Sequence, residues 1–200
     1  MSDITPTRSV VIALAEERRA MQEGYVFLDE KCLLLAGAMM RELRLFDAAI
    51  ITLRILQAQA QRAIAAAVRH HGLQGLQVYP ALPQDAIALN LHQHLLLNVP
   101  LLDASTKRES VTMPEPAFVS PEAEDCREAF VALTQQLMAM AAMSGNLARL
   151  YRDYRRSVRR VRALQDVLLP ELDDTMNEVE TQLEDLERDE LLGARWQRRA

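Results

Sequence analysis

Histidine has the widest chemical scope of the residue types in this sequence, because imidazole binds metal ions and exchanges protons near neutral pH. Four histidines occur, at His70, His71, His92 and His94. If the second pair lies in a β-strand, His92 and His94 point to the same face and are spaced to chelate a metal ion. No third ligand is near them in the sequence, so we expect surface or packing histidines and no metal site.

Sequence patterns that bind phosphate groups or paired iron ions are missing. None of the six glycines belongs to a Gly-x-x-x-x-Gly-Lys or Gly-x-Gly-x-x-Gly pattern, and no glutamate is followed three residues later by a histidine. The two cysteines, Cys32 and Cys126, are more typical of packing than of a disulfide in a reducing compartment. We expect no cofactor and no catalytic residue, since no nucleophile, base and orienting group can be placed together.

Charge is concentrated in two blocks towards the C-terminus. Between Arg149 and Arg162 seven arginines stand against one acid, Asp153, which gives a local charge of +6. Between Glu171 and Glu190 ten acids stand against one arginine, which gives −9. Nucleic acid is a poor partner for the arginine block, because the neighbouring acids repel phosphates and few aromatic residues are near to stack on bases.

The arginine block has two interpretations. It is either a solvated face paired with acids of the first helix, or a band that contacts acidic groups of a partner protein, since guanidinium groups suit carboxylates. The first-helix acids in question are Glu16, Glu17, Glu23, Asp29 and Glu30.

The composition of the whole chain favours helices. Half of the 200 residues are hydrophobic but only 4% are aromatic, and the net charge of −5 argues against a nucleic-acid binder. The longest apolar run, Cys32 to Met40, falls short of the ~20 residues that a membrane-spanning helix needs. The N-terminus has no cationic segment leading into an apolar core, so no secretory signal is predicted. We expect a soluble, cytoplasmic chain without membrane insertion.

A first long helix is predicted from Thr5 and Pro6 to a stop at His71 and Gly72. Positions alternately three and four apart form an apolar stripe, which only Arg18 and Glu42 break. Its members include Leu14, Met21, Leu28, Leu35, Phe46 and Leu53.

A second long helix is predicted from Ser120 and Pro121. Its stripe includes Phe130, Leu137, Leu147, Tyr154 and Val161, and resumes at Met176 towards Leu183. The fifteen residues from Val161 to Met176 are one more than two heptads, so the supercoil must unwind locally. Pro170 lies in this slip and suggests a bend.

The segment between the helices is predicted to contain a short β-hairpin. Leu89, Leu91 and Leu95 alternate as in a strand, with Val111 and Met113 as its partner across a polar turn at 107–110. The Leu-rich stretch is also compatible with a helix by periodicity.

The predicted fold class is therefore all-α. We expect a long two-helix antiparallel coiled coil with a short β-hairpin or irregular segment at the distal end, and with both termini at one end. The predicted boundaries are 5–72 for the first helix, 73–119 for the connecting segment and 120–198 for the second helix.

Several segments at both ends resemble a known family. At the N-terminus these are Thr5-Pro6-Thr7-Arg8, Gly24, Phe27-Leu28 and Lys31; near the C-terminus they are Arg159-Arg160-Val161-Arg162-Ala163-Leu164-Gln165, Val167-Leu168-Leu169-Pro170 and Leu186-Glu187-Arg188-Asp189-Glu190. They resemble the D subunit of the vacuolar-type and archaeal-type (V-type and A-type) rotary ATPases. That family reads Pro-Thr-Arg with Gly-x-x-Leu-Leu-x-x-Lys, then Arg-Arg-Val-Asn-Ala-Leu-Glu, an apolar pair with proline, and Leu-Glu-Arg-Glu.

The resemblance covers both helices but not the middle segment, and it includes departures. Arg162 stands where the family has Asn, Gln165 where it has Glu, and Cys32 where it has Arg. The tail 192–196 lacks the family's Phe-Arg-Leu-Lys. These differences suggest a divergent bacterial member.

What the resemblance implies is a non-catalytic central rotor shaft. In that family the coiled coil enters a hexamer of alternating A and B subunits, which bind ATP, while the small F subunit contacts its middle and a funnel-shaped subunit links its lower end to the membrane ring. The complex, peripheral to the membrane on the cytoplasmic side, couples ATP synthesis or hydrolysis to ion transport, including hydrogen ion transport. Under this resemblance Arg155, Arg156, Arg159 and Arg160 are candidates for contacts with the hexamer.

Two other classes of protein remain as alternatives. One is a coiled-coil stalk protein of a protein-export ATPase, which also enters a hexamer. The other is a helical scaffolding or sensor bundle that dimerises through Leu-rich faces.

Overall fold

The computed structural model describes residues 5–77, 79–80, 83, 86–109, 116 and 119–197. Helix α1 spans Arg8–Gln77, strands β1 and β2 span Ile87–Leu96 and Val99–Arg108, and helices α2 and α3 span Pro121–Ala163 and Leu169–Gln197. A π-helical segment, Leu164–Leu168, joins α2 to α3. The predicted class, long helices with a short antiparallel hairpin, is confirmed. No helix among the described residues combines the length and apolarity needed to cross a membrane.

The chain divides into two compact units. The terminal unit comprises the described residues within 1–34 and 154–200, and the middle unit comprises those within 35–153.

Thr7 caps the N-terminus of α1. Its carbonyl accepts hydrogen bonds from the N–H groups of Val10 and Val11, and its hydroxyl accepts a third from Val10 N–H at 3.3 Å. The predicted cap, Thr5 with Pro6 as the first helical residue, is therefore wrong by two residues. A second threonine two positions later offers the same hydroxyl, and the sequence pattern did not distinguish them.

The apolar stripe of α1 coincides with the less accessible side of the helix. Each member is buried or half-buried except Arg18. Leu35 is completely inaccessible, and Ala60 and Ala67 are nearly so. Leu14, Met21, Leu28, Phe46 and Leu53 are half-buried.

The stripe of α2 needs a correction. Phe130 and Leu137 are 41% and 48% exposed, whereas Val131 and Leu150, which the predicted stripe leaves out, are buried. The physical reason is that the hairpin also contacts α2: Asn146 of α2 bonds to the backbone of Leu102 in β2, and Arg108 of β2 forms an ion pair with Glu128 of α2. Because α2 has neighbours on more than one side here, a single line of positions does not describe its buried surface. The other predicted positions, Leu147, Tyr154 and Leu183, are half-buried, and Val161 is buried.

The hairpin was predicted with the wrong turn and the wrong partner strand. The turn is Leu97–Asn98, both with positive φ (50° and 70°), and β2 pairs with β1 from Leu96↔Val99 to Ile87↔Arg108. Two central residues with φ above zero are what a type I′ hairpin turn requires, and the backbone twist of this turn matches that of the strands. The predicted turn residues 107–108 lie in β2, and the predicted partners, Val111 and Met113, lie outside the described residues.

The π-helical segment occupies the predicted seam slip. Leu169 N–H donates to the Leu164 carbonyl, the five-residue bond of a π-helix. Leu164 and Leu169 are half-buried, whereas the four residues between them are exposed. Successive half-buried positions are therefore five residues apart here, instead of three or four. This spacing accommodates the one residue by which the segment from Val161 to Met176 exceeds two heptads. The wide turn also immediately precedes Pro170, which has no N–H to donate.

Candidate functional site

Two ion pairs join α1 to α3 in the terminal unit. Arg8 contacts Glu187 at 2.8 Å, and Arg18 contacts Asp173 through Nε, with its Nη2 at 3.4 Å from the second carboxylate oxygen. The order of the pairs means that the two segments run antiparallel. The hydrogen bond from Arg18 holds the pKa of the Asp173 carboxyl below its ordinary value.

The pairing is the reverse of the first interpretation of the charge blocks. Arginines of α1 contact the acidic stretch, whereas acids of α1 were expected to contact the arginine stretch. Within the part of the chain that the structure describes, no ion pair joins Arg156, Arg159, Arg160 or Arg162 to an acidic side chain.

Five arginines near the end of α2 form an exposed surface, here named the arginine face: Arg155, Arg156, Arg159, Arg160 and Arg162. With 3.6 residues per turn they occupy an arc of about 160° around the helix. Ser157 and Val161, which are buried, lie on the opposite side. The helix therefore presents guanidinium groups on one side while its other side packs, and all four arginines predicted as partner contacts belong to the exposed side.

In the middle unit, α1 and α2 also run antiparallel. The amide of Gln136 donates to the Ala49 carbonyl at 3.2 Å, and His71 is hydrogen-bonded to Ser120. The hairpin is fixed to α2 by Asn146, which bonds to the backbone of Leu102.

A cluster of three possible metal ligands lies between α1, just before Gly72 interrupts its helical conformation, and the first turn of α2. Ligand atoms of His70, His71 and Glu122 all lie within 4.8 Å of one another. From the sequence we expected no metal site, and we did not place these residues together. The available signal was the combination of a helix stop at Gly72 with a helix start at Pro121 in an antiparallel pair, which places residues 70–71 opposite residue 122.

The second histidine pair has a different environment. On β1, His94 Nδ1 lies 3.0 Å from Asp103 of β2, and both histidines of that pair are exposed. The two cysteines, Cys32 and Cys126, are buried and form no disulfide, and burial raises the pKa of the Cys126 thiol. The packing role predicted for them agrees with this environment.

Comparison with known proteins identifies the family. Residues 10–196 match the family of the ATP synthase D subunit. The V-type ATP synthase D subunit of Thermotoga neapolitana is 25% identical over 193 residues, covering 94% of this chain and 93% of the relative. The A-type ATP synthase D subunits of Methanoregula boonei and Thermococcus sibiricus are each 23% identical, over 96% and 93% of this chain and over 93% and 89% of their own lengths. Since the match extends over nearly the whole sequence, this chain belongs to the family of the ATP synthase D subunit.

Proposed function

We propose that this chain is the central rotor component of a V/A-type ATP synthase. In this proposal it transmits torque between a hexamer of A and B subunits and the ion-translocating ring in the membrane. It has no catalytic role itself, and ATP is bound and turned over by its partners. The F subunit and a funnel-shaped subunit at the ring are its other partners, and the complex lies on the cytoplasmic side of the membrane.

The observation that carries the proposal is the antiparallel pairing of helices in a member of this ATP synthase family. In the terminal unit, α1 and α3 are held in opposite directions by Arg8 with Glu187 and Arg18 with Asp173. Two antiparallel segments of different sequence have no threefold symmetry. Inside a ring of three similar interfaces such a pair makes a different contact with each, and it therefore biases each interface towards a different conformation.

The arginine face supports a contact between the C-terminal part of α2 and another protein. Its guanidinium groups are exposed and concentrated on one side of α2, and arginine forms paired hydrogen bonds with carboxylates. We propose that Arg155, Arg156, Arg159 and Arg160 contact acidic groups of the surrounding hexamer.

Exposed apolar residues on α1 support the proposal that this chain contacts other subunits. Phe27 and Leu33 in the terminal unit are 66% and 69% exposed, and Ile51 and Ile55 in the middle unit are also largely exposed. Large apolar side chains in such numbers are typical of surfaces that meet other proteins. The family match favours a rotary ATP synthase over the stalk of an export ATPase or a dimeric scaffold.

The proposal is tested by watching the chain turn. A Ser105→Cys variant offers an exposed thiol on β2, while Cys32 and Cys126 are buried, so a probe can be attached selectively. The labelled chain is reconstituted with the A, B and F subunits and observed as single molecules with ATP. We expect ATP-driven rotation by one copy of the chain per hexamer. A hexamer that hydrolyses ATP around a bound but stationary chain contradicts the proposal, as does a complex with two copies.

A further inference from the structure

The cluster at the junction of α1 and α2 has the geometry of a metal site. His70 Nδ1 lies 3.2 Å from His71 Nε2 and 3.7 Å from Glu122 Oε2. Two ligand atoms bound to a tetrahedral zinc ion at about 2.0–2.1 Å lie roughly 3.3–3.4 Å apart. The two separations bracket this value, and all three ligand atoms lie within 4.8 Å of one another, so rotation of the side chains can bring them to bonding distance of one ion.

The donor types also suit zinc. Two imidazoles and one carboxylate are a ligand set that proteins use for this ion, with a fourth position left to another group. The rings of His70 and His71 are neighbours on a helix, yet they lie nearly perpendicular with centroids 4.5 Å apart and converge towards Glu122.

Ser120 adjoins the cluster. Its side chain is buried and caps α2 by accepting from Ala123 N–H at 3.2 Å, and its hydroxyl lies 3.3 Å from Glu122. The same hydroxyl is hydrogen-bonded to Nε2 of His71, the nitrogen that faces His70, so a bound ion replaces this hydrogen bond with a bond to the metal.

We propose that His70, His71 and Glu122 bind one zinc ion, which ties α1 to the start of α2 in the middle unit. The site lies directly before Gly72, where the helical conformation of α1 is interrupted (φ 69°, ψ 168°). An ion at this position bonds to both helices next to the interruption, and so it holds them together there. The site is independent of the arginine face.

The test uses the full chain without an affinity tag, stripped of metal by a chelator and titrated with Zn²⁺ by calorimetry. Wild type is expected to bind one equivalent. His71→Gln and Glu122→Gln are expected to bind about 100-fold more weakly, since even the loss of outer-sphere groups costs 10–100-fold. The matched control is the double variant His92→Gln/His94→Gln on β1, which removes as many imidazoles and is expected to retain the wild-type affinity.

A second measurement needs no variant. Diethyl pyrocarbonate modifies accessible histidines, and mass spectrometry locates the products. Bound Zn²⁺ is expected to protect His70 and His71 but not His92. The proposal is overturned if wild type shows no saturable binding, if the two variants at the cluster bind as tightly as wild type, or if the protected histidines are those of β1.

Discussion

The side-chain amide of Asn146 on α2 forms two hydrogen bonds with the backbone of Leu102 on β2. Asn146 Oδ1 accepts from Leu102 N–H at 2.8 Å, and Nδ2 donates to the Leu102 carbonyl at 2.9 Å. Asn146 is buried, and Arg149 donates to the same Oδ1 at 3.2 Å, which agrees with this orientation of the amide. One side chain thus takes the place of a neighbouring strand at the outer edge of β2.

An Asn146→Asp variant is expected to destabilise the chain. A carboxylate still accepts from Leu102 N–H, but its second oxygen then faces the Leu102 carbonyl, and both acceptors lack a donor. The expected loss is about 1–3 kcal/mol, the range for a buried polar group left without its partner. Urea unfolding measures it. Asn90→Asp, on the exposed part of β1, is the control; an equal loss in both variants contradicts the assigned role of Asn146.

The corrected position of the buried surface on α2 is tested with two identical substitutions. Leu150 is completely inaccessible, whereas Leu137 is about half exposed. Leu150→Ala removes buried methyl groups and leaves a cavity, so a loss of about 2–5 kcal/mol is expected. Leu137→Ala is expected to change stability by roughly 0.5 kcal/mol or less, as at other surface positions. If urea unfolding shows a larger loss of stability for Leu137→Ala than for Leu150→Ala, Leu137 belongs to the packed stripe and the correction is wrong.

Gly72 has a backbone conformation that side chains strongly disfavour. With φ 69° and ψ 168° it lies in a region that is essentially restricted to glycine, and no atom lies within 4 Å of an added Cβ. The cost of Gly72→Ala is therefore conformational, on the order of 1–3 kcal/mol. Gly24 also has free space around a Cβ but lies inside α1, so Gly24→Ala is expected to stabilise by about 0.4–1 kcal/mol. Thermal unfolding of the two variants should show shifts of opposite sign.

The stripe of α1 was predictable because periodicity alone decides it. A long helix that packs along one side must place apolar residues three and four apart, and Leu35, Ala49 and Ala67 are found buried at these positions. Arg18 is the informative exception, since its side chain leaves the stripe to contact Asp173.

The hairpin and the stripe of α2 were less predictable because tertiary contacts decide them. The turn uses Leu97 at positive φ, a conformation for which leucine gives no sequence signal. The proline of β2, Pro100, also argues against a strand by residue type. It is tolerated because it faces Leu95 in a pair without ladder hydrogen bonds, next to the closing pair Leu96↔Val99.

One part of the candidate site was also predictable from the sequence, and the other part was not. The exposure of the arginine face followed from composition and helical spacing, because five guanidinium groups within a few turns cannot all be buried. The cluster of His70, His71 and Glu122 depends on residues about fifty positions apart in the sequence, so it required the relative register of α1 and α2 at their junction.

The ion pair between Arg18 and Asp173 makes stability depend on pH in the acid range. The pKa of Asp173 is lowered in the folded chain, so its contribution is present above the ordinary value of 3.8 and is lost as pH falls below it. Arg18→Gln, Asp173→Asn and the double variant are expected to unfold at the same temperature as one another. All three should unfold slightly below wild type at neutral pH, with the gap narrowing as the pH falls below 3.8. A gap that widens on acidification contradicts the assigned pair.

The arginine face gives a last prediction, which rests on the proposed rotor function. Arg156→Glu/Arg160→Glu reverses two exposed charges on one side of α2, opposite the buried Ser157 and Val161. The isolated variant should remain helical, because neither arginine has an ion pair to lose within the described residues.

In the reconstituted complex the same variant should bind the hexamer at least about tenfold more weakly, since a charge-assisted hydrogen bond contributes about 1.5–3 kcal/mol and 1.4 kcal/mol is tenfold. Rotation per ATP hydrolysed should fall with it. The control Arg44→Glu/Arg54→Glu makes the same change of charge at exposed positions of α1 in the middle unit. If both pairs reduce coupling equally, net charge explains the effect and the arginine face has no specific contact; if neither does, the hexamer meets another surface of this chain.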